Sequence, residues 1–423
     1  MNSKLALVLI ALTILSMGFI SLFDLPIVIS IFLFSLCYFP SWSGCKSLFE
    51  PLPFFGLFLY FYVISFSCLE LMTGMYNVGY EQHFILIMSG FFTYLGLLIA
   101  EFILGPSRIK QADFQYFQSN DFKKLSGTLS LVFAPFFLIA LIDVLGSGNV
   151  NKYELNTAGV FNALTYYFLA FLFIYITSSQ KCIRVKMVSF ILLFLFFYLV
   201  SGERDFFIRA FLLILFFLYI TNQVSNKVTI ISFVSGFILA PLSQSLKGVL
   251  GYNSEQSVQL IGFDNLIVSL FSGEFMSQGR NFYWMLEFKD RMLDVYGNML
   301  VNDILRFFKL YEHSSASLFG EKIVGRTGGS GVGFSLLGEM YFTFWYFGLL
   351  FLGLSIGVLL KWTAKVASDS SLNIYLYITV LFSCSYALRA DFANLLAGVI
   401  KVGLLPVVIL ILCRSSIRFI QKS

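Results

Sequence analysis

Phe84-Ile85-Leu86-Ile87-Met88-Ser89-Gly90-Phe91-Phe92-Thr93-Tyr94-Leu95-Gly96-Leu97-Leu98-Ile99-Ala100 is a run of seventeen residues without a charge. Extended to Gly105 it gains only Glu101. A helix that crosses the hydrocarbon core of a bilayer needs about 20 mostly apolar residues, so residues 84–105 read as such a helix. The rest of the chain repeats the pattern. It is 58% hydrophobic and 12% charged, against about 25% charged for a soluble domain. That composition excludes a soluble fold, and no polar half separates off a second domain. The whole of residues 1–423 is expected to form a single transmembrane domain.

Twelve segments fit the same template: 5–23, 25–40, 53–73, 84–105, 127–146, 159–178, 187–202, 206–222, 228–245, 334–360, 372–388 and 393–413. The first follows Met1-Asn2-Ser3-Lys4 and lacks a small-x-small cleavage site, which predicts an uncleaved helix. Basic residues orient the set. With the N-terminus cytoplasmic, fifteen lysines and arginines between Lys4 and Lys422 fall in inside loops. The short outside loops hold Lys152, Arg204, Arg209 and Arg389. Both termini are therefore expected in the cytoplasm. Residues 246–333 become one long loop on the opposite side. Within it Phe282, Met285, Leu286, Met292, Leu293 and Tyr296 recur at helical spacing, which predicts short amphipathic helices. The fold class is an all-α polytopic membrane protein with about twelve transmembrane helices and a long, partly helical outer loop.

The six cysteines form no CxxC pair, and there is no DxD or HExxH spacing. They read as small buried hydrophobes. No metal, cofactor or nucleic-acid partner is expected.

Ionisable residues near a membrane interior are costly, so their positions carry information. Ser201-Gly202-Glu203-Arg204-Asp205 forms an outside turn, followed by Arg209. Asp205 and Arg209 stand i, i+4 and pair on a helix, a reading that takes up Arg209 and leaves Arg204 as a candidate for touching substrate. Arg326-Thr327-Gly328-Gly329-Ser330-Gly331-Val332-Gly333 then leads into Phe334-Ser335-Leu336-Leu337-Gly338-Glu339. It is either a hinge or an anion cradle at a helix N-terminus. Glu339 is either paired with an arginine or a base. Arg389-Ala390-Asp391 precedes the last helix, and its bland reading is an ion pair with another helix. With Arg280, these arginines gather on one side of the membrane, where the phosphates of a polyprenyl-pyrophosphate glycosyl donor lie. Arginine binds phosphate oxygens in a fork and stays charged. Tyr341, like Tyr283, Trp284, Trp345 and Tyr346, is a candidate for stacking on sugar rings or for anchoring at the membrane interface.

At these residues the sequence resembles the Wzy-type O-antigen polymerases, or oligosaccharide repeat-unit polymerases. The likeness rests on Ser201-Gly202-Glu203-Arg204, on Gly328 through Tyr341 and on to Phe347-Gly348, and on Leu388-Arg389-Ala390-Asp391-Phe392. It extends to the layout of a dozen helices with a long late outer loop. One departure is that Arg326 is followed by Gly338 after eleven intervening residues, where the family is described with arginine-x10-glycine motifs. The resemblance implies a GT-C-like membrane glycosyltransferase of the bacterial inner membrane with a periplasmic active site. Its implied activity moves a growing glycan from undecaprenyl pyrophosphate to a new lipid-linked repeat unit, without a nucleotide sugar. The implied partners are the undecaprenyl-pyrophosphate-linked oligosaccharide, membrane lipid and a chain-length regulator protein. Arg204, Arg280, Arg326, Glu339 and Arg389 are the catalytic candidates. Gly328, Gly329, Ser330, Gly331, Gly333, Tyr341 and Asp391 are the substrate-binding candidates. The nearest alternative is an O-antigen ligase, for which Glu312-His313-Ser314 lacks the expected surroundings. A lipid-linked oligosaccharide flippase is a third reading. It calls for charges along a central cavity and two related halves, and the chain shows neither.

Overall fold

The computed structural model describes residues 45–105 except 75, 109–112, 117, 120–146, 158–236 except 180, 181 and 202, 274–292, 296–325 and 333–420, with a few positions between 31 and 42. Among the described residues all regular structure is helical. Among the described residues six helices are long and apolar enough to cross a membrane: Pro51–Thr73, Tyr80–Leu104, Phe122–Asp143, Ile183–Ser201, Leu336–Asp369 and Phe392–Ser416. This is a polytopic membrane protein. The expected segments 5–23 and 25–40 lie wholly or largely outside the described residues, as does the end of 228–245. Ala163–Thr177 and Ser371–Ala387 are apolar helices of less than spanning length.

The chain clusters into two compact units. The first comprises Met1–Arg108, Ile261–Trp362 and Ser383–Leu396. Its frame is α1 (Pro51–Thr73), α2 (Tyr80–Leu104) and the greater part of α10 (Leu336–Val366). Pro51 opens α1, where a missing N–H costs no helical bond. Helices α2 and α10 cross at glycines. A methyl group added at Gly96 would overlap the backbone at Leu350, and one at Gly353 would overlap the Thr93 carbonyl. Small residues permit this approach, which is a common basis of helix association in lipid. Further along, Lys361 pairs with Glu101 at 2.8 Å and donates to the Gly105 carbonyl, tying α10 to the end of α2.

Three shorter helices of the long loop join this unit: α7 (Glu274–Glu287), α8 (Met299–Phe307) and α9 (Ser315–Lys322). Of the residues at the expected spacing, Phe282, Met285 and Tyr296 are buried and Leu286 is half-buried, while Leu293 lies outside the described residues. Gln278, Asn281, Phe282 and Met285 form the fully buried face of α7, which packs on α1 and α2. Met285, Tyr296, Met299, Leu318, Phe319 and Phe334 make one apolar cluster beneath the loop. Residues 261–271, the other apolar stretch of the loop, lie outside the described residues.

Segment 334–360 reads as one straight helix, but α10 breaks at Phe344 and Trp345. Trp345 has φ +54°, a left-handed conformation that is costly for a bulky residue. The fold holds the break by close packing across it: a methyl group at Gly348 would come within 2.5 Å of the Met340 carbonyl.

The second unit comprises Ile109–Leu260, Thr363–Phe382 and Ala397–Ser423. It contains α3 (Asn120–Gly146), α4 (Ala158–Thr177), α5 (Ile183–Ser201) and α6 (Arg204–Ile220), with most of α11 (Ser371–Ala387). Phenylalanine fills its interior: Phe137 packs against Phe168, Phe194 and Phe197. The final span starts as α12 (Phe392–Leu396), passes through a π-helical segment at Ala397–Leu404 and continues as α13 (Leu405–Ile420). Tyr375 donates to the Val402 carbonyl at 2.7 Å beside that segment.

Candidate functional site

Candidates far apart in sequence meet in the first unit. Gly333 has φ +73°, which only glycine adopts freely. An added methyl group there would lie 3.3 Å from Asn281 Nδ2, 3.6 Å from Ser277 Oγ and 3.6 Å from the Arg389 carbonyl. The turn before α12 and the start of α10 are laced together. Phe334 N–H donates to the Arg389 carbonyl at 2.9 Å, and Leu336 N–H to the Leu388 carbonyl at 3.3 Å. Gly333 thus lies beside both the Arg389 carbonyl and Asn281, the chain neighbour of Arg280. Arg280 lies over the Trp284 ring at 4.6 Å, with Nε and Nη2 3.4 Å from Asn281 Oδ1. Arg389 lies over the Tyr386 ring at 4.5 Å, and its Nη2 donates to the Tyr386 hydroxyl at 3.0 Å. Aromatic faces help to hold a guanidinium in place.

Several backbone donors at the N-terminus of α10 already have acceptors. Ser335 Oγ accepts Gly338 N–H at 3.0 Å, the Ser335 carbonyl accepts Glu339 N–H at 2.9 Å, and Phe334 and Leu336 donate as above. A terminus whose donors are already satisfied offers few to a ligand. Ser335 Oγ also accepts Gln278 Nε2 at 2.9 Å, while Gln278 Oε1 is buried with no donor among the described residues. Arg326, Gly328, Gly329, Ser330 and Gly331 lie outside the described residues.

Beneath the Arg389 turn three carboxyl groups converge, all fully buried: Asp303, Glu339 and Asp391. Glu339 Oε2 accepts Phe392 N–H at 2.9 Å, and Oε1 has no donor among the described residues. The expected alternatives for Glu339 were an arginine partner or a base; the bond that the structure shows is to backbone. Asp391 is likewise a helix cap rather than an ion pair. Its Oδ1 accepts Asn394 N–H at 2.9 Å and Asn394 Nδ2 at 2.6 Å, and its Oδ2 accepts Ala316 N–H at 3.4 Å. Helix starts present free N–H groups and a positive dipole end, which suits carboxylates.

Asp303 was not foreseen. Its Oδ1 accepts Ser315 N–H at 2.6 Å, and its Oδ2 accepts Ala393 N–H at 3.1 Å. Burial first, and then the Asp391 carboxylate, push its carboxyl up to about 7, against the downward pull of these two bonds. The signal available in the sequence was helical spacing, which places Asp303 one turn after Met299 on the buried face of α8.

Tyr341 packs edge-on against Phe282 and Tyr346, at 5.6 and 5.3 Å between ring centres. His313 is exposed on the connection from α8 to α9. Arg204 stands in the second unit, part-buried at the first turn of α6. Beside it the predicted i, i+4 pair forms. Arg209 Nε bonds Asp205 Oδ2 at 2.9 Å, its Nη1 reaches the Thr379 carbonyl at 3.4 Å, and Tyr166 also donates to Asp205. Arg209 is committed to structure.

Residues 4–419, nearly the whole chain, match the family model described as O-antigen polysaccharide polymerase Wzy. The chain belongs to the Wzy family. Neither a curated protein nor a solved structure matches it. Membership in the Wzy family points to a glycan polymerase acting in a membrane on lipid-linked oligosaccharide. The Wzy match takes in both units, so Arg204, Arg280, Glu339 and Arg389 all fall within it.

Proposed function

We propose that this Wzy protein polymerises O-antigen repeat units at the periplasmic face of the inner membrane, within a GT-C-like bundle of about twelve helices. It transfers the growing glycan from undecaprenyl pyrophosphate to a new lipid-linked repeat unit. The observation that supports this most is that the segments carrying Arg280 and Arg389 meet at Gly333, which lies beside Asn281 and the Arg389 carbonyl. In the transfer, the bond from the sugar anomeric carbon to the pyrophosphate oxygen breaks and a bond to the acceptor hydroxyl oxygen forms. Negative charge grows on the departing pyrophosphate. Prepositioned guanidinium groups stabilise that charge more in the transition state than in the ground state. Arg204 and Arg326 are proposed to serve the same anion.

Glu339 is the proposed acceptor of the hydroxyl proton. Glutamine at that position keeps an oxygen for Phe392 N–H and loses the basic group. Glu339→Gln therefore separates a base from a backbone acceptor: loss of polymer at normal protein level supports the base. Gly333, Tyr341 and Asp391 are proposed to shape the pocket, with Gly328, Gly329, Ser330 and Gly331. A chain-length regulator protein is the proposed partner.

Replacing Arg389 or Arg280 with alanine is expected to cut polymerisation by about a hundredfold or more, in line with loss of a transition-state donor. The check is the glycan ladder from cells with equal amounts of inserted protein. Ladders of normal length from both variants would sink the clamp.

A further inference from the structure

Asp303 belongs to none of the motifs above, yet three elements of the first unit end on it. From α8 it accepts the N–H of Ser315, the first residue of α9, and the N–H of Ala393, in the first turn of α12. From α10, the Glu339 carboxyl lies close enough for the charges of the two acids to act on each other. Glu339 holds Phe392 N–H. The two carboxyls therefore grip consecutive N–H groups of the segment that follows Arg389. Ionised carboxylates only accept hydrogen bonds, and Glu339 Oε1 is buried without a donor among the described residues.

We infer that Asp303 is a positioning residue for glycosyl transfer: through its bond to Ala393, next to the bond that Phe392 makes to Glu339, it fixes the turn that presents Arg389. The inference rests on the reading that Arg389 meets the pyrophosphate. The competing account makes Asp303 only a peg that seats α9. Ser315→Pro tests that account directly. Proline suits a first helical position, and the preceding Ser314 is extended at ψ 164°, as a residue before proline should be. The substitution deletes the α9 donor, together with the bond from Ser315 Oγ to the Met299 carbonyl at 3.2 Å, and leaves Ala393 on Asp303.

The experiment measures chain elongation by the purified full chain in lipid nanodiscs, with a synthetic polyprenyl-pyrophosphate-linked repeat unit as the probe. Asp303→Asn is close to isosteric but opposes an amide group to one of the two N–H donors. It is expected to lower kcat by about tenfold or more while KM stays within about threefold. Asp303→Glu keeps the charge and is one methylene too long for both donors; it is expected to lose kcat likewise, and serves if the asparagine variant does not accumulate. Ser315→Pro is expected to stay within about threefold of wild type. Wild-type kcat in Asp303→Asn or Asp303→Glu, or an equal loss in Ser315→Pro, overturns the inference. Arg389→Ala keeps the two readings apart. If it retains normal kcat, the functional reading fails. If it is inactive while Asp303→Asn is normal, only the role of Asp303 fails.

Discussion

Asp303 makes a pH dependence visible at the scale of one side chain. Its carboxyl moves from an ordinary 3.8 to about 7 in the fold. Between those values the folded chain holds the proton more tightly than the unfolded chain. The stabilisation is therefore complete below the lower value and is lost as pH rises to about 7. Purified protein is expected to unfold at a higher temperature near pH 5 than near pH 8, and Asp303→Asn should flatten that difference. An unchanged difference in the variant would assign the dependence to another group. The same residue shows what a sequence conceals. Arg280, Arg389 and Gly333 were legible because a cation or a glycine beside an apolar run needs a reason. Asp303 sits in Asn302-Asp303-Ile304, where an acid on a short amphipathic helix looks like its solvated face. Only the chain folded over it reveals the burial. The bonds of Glu339 and Asp391 were hidden for the same reason, since backbone donors leave no trace in side-chain spacing.

At the scale of elements, hydrophobic runs predicted α1, α2 and α3 well, because bilayer thickness and the rise of a helix fix the length of a span. The break in α10 was not legible. No proline marks it, and a run such as Phe342-Thr343-Phe344-Trp345-Tyr346-Phe347 suits a continuous helix equally well. The α2–α10 crossing was equally silent, since its glycines gain meaning only from the helix opposite. Gly353→Leu forces a side chain onto the Thr93 backbone and is expected to cost about 1–3 kcal/mol of stability. Thermal unfolding in detergent would detect it, whereas Phe351→Leu, a change at an exposed position on the same helix, should leave the transition in place. Equal transitions for both variants would contradict the close approach.

For the whole molecule, the family match covers residues 4–419, and the composition alone had placed the chain in a membrane. What the sequence left open is which glycan reaction the charged residues serve, because a polymerase and a ligase share a leaving group and a layout. The proposed arginine clamp is compatible with either acceptor, so the acceptor decides. The most direct measurement deletes the gene in its host and resolves the surface glycans on a gel. A polymerase predicts a ladder that collapses to a single repeat on the lipid core, restored by the wild-type chain and not by Arg389→Ala. Loss of all attached glycan, with long chains still on the carrier lipid, would contradict polymerisation and indicate transfer of finished chains.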